Sequence, residues 1–252
     1  MTFQSIGGKR YTIIVRGDCT RFTRAFFLRQ KSDAASAFES FLAEVRADGA
    51  PSAVMAVRSG NGGEFFGGDF GKLCRQRGIK QGFTPADRPT CNREAERALA
   101  LINDAALAAL IQATELYADA PSYTSLWAEA VSWACHALNC TATTANPGDK
   151  SPYEMWHGFP PSHGAVRPFL KPAVCRVKRD NKSQPQAQDC FYVGPGVNHP
   201  PDCMRLITAN RSTLTTRNVT WGHVPTAPPV PPQQPPPIAE EGESDSGGRR
   251  EW

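Results

Sequence analysis

The chain has 252 residues, 40% hydrophobic and 21% charged, with a formal net charge of +4. Such a composition buries a core over most of its length, and the length suits one large or two small domains plus a tail. The best apolar run, Ala105 to Ile111, is seven residues, far short of the roughly 18 of a membrane span. The first ten residues lack a signal-peptide stretch, so a secreted or membrane protein is not expected.

Eight cysteines include no C-x-x-C pair, and the five histidines form no ligand-like cluster with them. Free thiols in a reducing compartment are expected, without structural zinc or a disulfide scaffold. The sequons at Asn139, Asn210 and Asn218 are then chance.

Tyr11 to Val15 and Thr23 to Leu28 read as two β-rich strands around a turn at Gly17-Asp18. Ser32-Asp33 caps a helix whose apolar face is Phe38, Phe41, Leu42 and Val45, at i, i+3, i+4, i+7. Ala53 to Val57 reads as a short buried strand, Asp69 to Arg77 as a short helix closed by Gly78, and Ile79 to Phe83 as another strand. A Pro-bearing loop over 84–91 precedes a long Ala/Leu helix from Asn92 to about Tyr117. Its apolar stripe is Leu99, Ile102, Ala106, Leu110 and Ala113. A second helix runs from after Pro121 through Trp127 and Trp133 to about Leu138. The order is that of an α/β protein. Trp127, Trp133 and Trp156 are read as packing residues.

Residues 140–164 read as connector. Four short strands follow, at Ala173 to Val177, Cys190 to Val193, Met204 to Ile207 and Asn218 to Trp221, a pattern suited to a small β-barrel. From Pro225 the chain turns Pro-rich, then acidic, and is expected to be disordered. Pro228/Pro231 and Pro232/Pro235 have the P-x-x-P spacing that proline-recognising domains bind.

Charge is unevenly spread. Residues 1–164 hold 17 basic and 16 acidic residues, 165–222 hold nine and three, and 223–252 hold two and five. The middle segment is an electrostatic footprint suited to phosphate backbones. Its candidate nucleic-acid contacts are Arg176, Lys178, Arg179 and Lys182.

Two short motifs mislead. The Gly-rich loop Gly60 to Gly68 is no phosphate cradle, because Phe66 occupies a glycine position and Leu73 follows Gly71-Lys72 where Ser or Thr is needed. Asp69-Phe70-Gly71 spells a kinase triplet without the other kinase motifs.

One ordered constellation carries meaning. Val57-Arg-Ser-Gly60-Asn-Gly-Gly-Glu64-Phe65 leaves a strand, and 36 positions after Gly60 comes Glu96, in Asn92-Arg-Glu-Ala-Glu96-Arg97 at a helix start. This resembles the catalytic core of copia-type retrotransposon integrases, which write S-D-N-G-G-E-F, then 35 intervening residues, then N-G-x-A-E-R. Gly17-Asp18-Cys-Thr-Arg21 stands where D-D-x-[ST]-R is usual. Leu126-Trp-Ala-Glu-Ala130 and Lys150-Ser-Pro-Tyr-Glu-Met-Trp-His-Gly158 resemble further family segments. Arg167-Pro-Phe169, Phe191-Tyr-Val-Gly194 and Arg217-Asn-Val219 resemble the SH3-like barrel that follows the core. The resemblance covers about residues 5–222.

The resemblance implies a ribonuclease H-like α/β core lacking its first strand (residues 1–118), a helix and connector (119–164), an SH3-like β-barrel (165–224) and a disordered tail (225–252). It implies DNA integration by metal-dependent phosphoryl transfer, with Mg or Mn, in the nucleus, by a protein that oligomerises. Such chemistry needs two divalent ions about 4 Å apart, held by three carboxylates. Glu96 is the surviving position. Gly60 stands where the second carboxylate belongs, and the strand bearing the first is not found. Asp18 is the remaining candidate metal ligand, although by position it belongs to the end of the following strand. The expectation is therefore an integrase-derived pseudoenzyme with residual DNA binding. The alternatives are a mobile-element remnant without a role and a protein-interaction module working through the Pro-rich tail.

Overall fold

The structure, a computed structural model, describes residues 3–49, 54–60, 62–84, 93–122, 124–176, 181, 183 and 185–222. The expectations for the loop over 85–91, for Lys178, Arg179 and Lys182, and for the Pro-rich tail lie outside the described residues.

Alternating Ile, Val and Phe make an antiparallel hairpin of β1 (Tyr11–Arg16) and β2 (Thr23–Leu28), in register from Tyr11–Leu28 to Arg16–Thr23. Helix α1 (Ala34–Ala47) lays Phe38, Phe41, Leu42 and Val45 on it, all buried. The cap differs from the one expected. The Asp33 carboxylate accepts the backbone N–H groups of Arg29 and Gln30, at 3.1 Å each, and so closes a single turn that precedes α1. Strand β3 (Ala56–Ser59) pairs in parallel with β4 (Lys80–Phe83), and α2 (Gly68–Gln76) connects them. Gly78, at φ +66, lets the chain leave α2 in the left-handed region. The β3 segment was expected at 53–57 and buried. It lies two to three residues later with Met55, Ala56 and Arg58 exposed. Its hydrogen-bonded neighbour among the described residues is β4 alone, so little covers that strand. The two pairs are separate two-stranded sheets that contribute side chains to one core with α1 and α2.

Helix α3 (Arg93–Leu116) packs along α4 (Trp127–Cys140). Its buried stripe is Ala98, Ile102, Ala106, Ala109 and Ala113. Leu99, expected inside, is 41% exposed, and Leu110 is half-buried. The reason is the alanines: they allow a closer approach to α4 than leucine would, so the inward face rotates onto them. By length and composition α3 would also pass for a membrane span, with a mean hydropathy of 1.3 over its best 18 residues.

The connector contains a short helix, α5 (Pro152–His157), opened by Ser151, whose hydroxyl accepts the Glu154 N–H at 3.1 Å. Trp156 stacks on Phe22 at 4.6 Å and donates its indole N–H to Asp48 at 3.0 Å. The chain then forms an antiparallel five-stranded sheet: β5 (Pro172–Arg176), β6 (Ala187–Pro195), β7 (Met204–Thr208), β8 (Thr213–Thr216) and β9 (Val219–Trp221), in the order β8-β7-β6-β5-β9. Strand β8 was not anticipated.

Helix α4 joins these parts. Phe169, Leu170, Val193 and Ile207 share one apolar core with α3 and α4. Asn139 reaches the hairpin, accepting the Thr23 N–H at 2.9 Å and donating to the Thr23 carbonyl at 2.8 Å. Trp133 donates to the Arg167 carbonyl at 2.7 Å, and His136 Nε2 meets the Ala165 carbonyl at 3.0 Å. Glu129, 5% exposed, is bridged by Arg205 of β7 at 2.9 Å. Burial pushes the Glu129 carboxyl up, with Arg205 opposing it.

Two outcomes follow from α4. Asn139→Ala leaves both backbone groups of Thr23 unsatisfied and should cost about 2 to 4 kcal/mol in urea denaturation, whereas loss below about 0.5 kcal/mol would show that the clamp is idle. His136 has its pKa lowered from 6.5, chiefly by burial. The unfolded chain therefore takes up this proton first, and stability should fall as pH drops below 6.5. The urea midpoint of the wild type should drop more steeply between pH 7.5 and 5.5 than that of His136→Gln, which sheds this contribution.

Candidate functional site

The residues singled out by the sequence divide among three places: the corner where the β1–β2 turn meets the start of α3, the end of β3, and the five-stranded sheet.

At the corner, Asp18 lies in the turn, not on a strand, with a fully exposed side chain. The turn is closed by Gly17 N–H to the Phe22 carbonyl at 2.9 Å and Arg21 N–H to the Gly17 carbonyl at 3.0 Å. Arg21, at φ +59, pairs with Asp18 at 3.1 Å and with Glu94 of α3 at 3.6 Å. Glu94, and not Glu96, therefore ties α3 to the turn. Arg16 stands in the same corner. Burial lowers its pKa, as does Arg21, and Glu94 opposes both. Both carboxylates at the turn thus pair with a single guanidinium, that of Arg21.

Gly60 follows β3 directly and is half-buried. A Cβ there would meet no described atom within 4 Å, so the position has room for the side chain it lacks. The loop beyond it is tied to β4 through Gln81, which donates to the Phe65 carbonyl at 2.6 Å. Glu96 is exposed in the first turn of α3, where the helix dipole favours a carboxylate without any ligand. Among the described residues no three His, Cys, Asp or Glu side chains gather as a metal site. The donor set does not fit a pair of divalent ions: one exposed glutamate, one glycine, and an aspartate engaged by arginine. Burial pushes Cys135 and Cys190 up to about 12 and Cys140 up to about 11, so these thiols stay protonated near neutrality.

On the sheet, Arg176 ends β5 and is exposed. A grouping that the sequence reading missed stands nearby. Arg167 and Lys171 both lie over the Trp221 indole, at 4.8 and 5.5 Å from its centre. Tyr192 packs edge-on against that ring at 5.7 Å. Two cations on a partly exposed indole form a platform on which a base can stack and a phosphate can pair. Charge counting alone could not have found it, because Arg167 and Trp221 are far apart in sequence and meet where β9 pairs with β5. Nor could it reveal that Arg205 is turned inward to Glu129, and that Arg217 pairs with Asp202 at 3.7 Å.

No family model matches the chain. Among solved structures it is similar to the HTLV-2 integrase catalytic core domain in complex with magnesium, in its trimeric form, with TM-score 0.40, 14% identity, and coverage of 58% of this chain and 93% of that one. It is also similar to the catalytic core domain of BIV integrase, with TM-score 0.38, 17% identity, and coverage of 57% and 90%. In sequence it is 27% identical over 202 residues, 78% of the chain, to the Retrovirus-related Pol polyprotein from transposon TNT 1-94 of Nicotiana tabacum. The chain is similar in sequence to part of a transposon Pol polyprotein and spans 14% of that polyprotein's length. It has the mixed α/β class that its sequence implies, with an antiparallel sheet after the helices.

Proposed function

We propose that this chain is a catalytically silent relative of DNA-integrating enzymes, and that it keeps nucleic-acid binding through its carboxy-terminal sheet. In this reading residues 1–118 are the ribonuclease H-like part and the five-stranded sheet is the SH3-like module. The observation that carries the silence is Gly60: the backbone leaves space for a carboxylate and supplies none. Asp18 and Glu94, the other acids at the corner, are held by Arg21. Mg or Mn would supply Lewis-acid activation of the phosphodiester in a competent relative. Here the donors for it are not assembled, and Arg16 and Arg21 repel a second positive charge.

The test of silence is a strand-transfer and cleavage assay on end-labelled DNA with Mg²⁺ or Mn²⁺. No product above background is expected, and Gly60→Asp alone should not restore any. A product that Glu96→Gln abolishes would overturn the reading.

Binding is supported by the cations around Trp221 together with Arg176. It should be weak, indifferent to sequence and steeply salt-dependent, with log K falling by about 0.9 per phosphate contacted for each decade of salt. Removing Lys171 should lower that slope by about one, and Trp221→Ala should weaken single-stranded DNA more than duplex, since only unpaired bases stack on a ring. Titration of labelled oligonucleotides between 50 and 200 mM salt reads all three. Affinity that does not change with salt would sink the binding claim.

A further inference from the structure

The cations of the five-stranded sheet are of two kinds. Arg205 pairs with Glu129, and Arg217 with Asp202. Arg167, Lys171 and Arg176 have no carboxylate within 4.0 Å among the described residues. Arg167 and Lys171 lie instead over the half-buried Trp221 ring. Lys171 immediately precedes β5 and Arg176 ends it, so five residue steps separate the two, about 17 Å along an extended chain. The opposite charge stands in the chain's own carboxy-terminal segment, outside the described residues. Glu240, Glu241, Glu243 and Asp245 place four acids within six residues, and the next base is Arg249. Five steps also separate the first of these acids from the last, so an extended run of them matches the Lys171–Arg176 span.

We propose that the acidic run 240–245 folds back onto Arg167, Lys171 and Arg176 and occupies the face that nucleic acid would take. The tail is then a built-in competitor for that face. This rests on the nucleic-acid reading for what is displaced, not for the docking itself. The tether makes the contact effective. Gly222 is fixed beside Lys171, because its N–H donates to the Pro172 carbonyl at 3.0 Å, so the chain leaves the sheet next to these cations. Seventeen residues lie between Gly222 and Glu240, eight of them proline, and Thr226-Ala227 and Gln233-Gln234 interrupt the prolines. A spacer of that length and composition reaches at most about 50 Å, which covers the whole sheet. It holds the acids at an effective concentration on the order of a millimolar, so an individually weak contact is populated. Four carboxylates compete evenly with about four phosphates. Short strands are therefore excluded, and a longer strand that reaches further cations displaces the tail.

The test compares the full chain with a full-length variant carrying Glu240→Gln, Glu241→Gln, Glu243→Gln and Asp245→Asn. The first readout uses no DNA: acetic anhydride labelling, followed by mass spectrometry. Lys171 should react about threefold more slowly in the wild type than in the variant at 50 mM salt, and equally at 300 mM, where the ion pairs are screened. The exposed Lys80 of β4 should react alike in both chains. Equal Lys171 rates at 50 mM overturn the docking. The second readout is a fluorescein-labelled single strand of twelve nucleotides, which the variant should bind about fivefold more tightly at 50 mM salt. A tighter variant whose Lys171 reacts as in the wild type also overturns the docking, since the gain then comes from net charge alone. Protection of Lys171 with no gain in affinity overturns the competition. Protection of Lys171 with no strand bound by either chain upholds the docking and overturns the nucleic-acid reading.

Discussion

Helix α4 is buried on almost every side, and that constraint organises the rest of the molecule. A side chain on such a helix must either be apolar or find a partner for each polar atom. Ala128, Ala130, Val131 and Ala134 take the first course. Trp133, His136 and Asn139 take the second, and Glu129 meets Arg205 through one of its two carboxylate oxygens; together they reach the hairpin, the 165–167 segment and β7. Asn139 acts as a surrogate strand edge for Thr23, so the hairpin is registered to the helix by hydrogen bonds as well as by packing. Trp133 and His136 hold the entry to the five-stranded sheet by two carbonyls three residues or fewer apart, and Glu129 holds β7 from within. The ion pair gains little by itself once desolvation is counted. Its directionality is what fixes how β7 meets the helix, because a bare glutamate would be intolerable there.

The corner at α3 is tied by one arginine. Carboxylates gathered without a counter-charge repel each other. Here Arg21 pairs with Asp18 of the turn and with Glu94 of the helix, so the two acids do not face each other alone. Arg21 sits at a positive φ, a conformation that costs a non-glycine residue something. Arg21 is held there by the turn hydrogen bond from its N–H to the Gly17 carbonyl.

Much of this was readable beforehand, and the failures have physical causes. The hairpin, α1 and the end of α2 at Gly78 were legible because period-two and period-3.6 patterns and a left-handed glycine are local signals. Strand β3 was misplaced because a two-stranded parallel pair buries little, and the apolar run 53–57 was mistaken for its centre. Strand β8 escaped because Thr213-Leu-Thr-Thr216 carries one apolar residue; the turn at Asn210-Arg211 and pairing with β7 make it a strand. Spacing put Glu96 at the start of a helix, and it is there. The same spacing could not show that Glu94, two residues earlier, faces Arg21 instead. The stacked cations at Trp221 and the inward turn of Arg205 arise from tertiary contacts, which counts of charge do not contain.

Helix α3 joins these themes. Its inward face, against α4, is Ile102 and four alanines. Leucines and an isoleucine are consequently displaced outward, where α4 cannot cover them. A helix with alanine inside and leucine outside is inverted relative to one that packs against a single core. Packing on α4 accounts for the alanine side, while Leu99, Leu107 and Ile111 stay exposed, so period-3.6 reading of the leucines alone points to the wrong face of the helix.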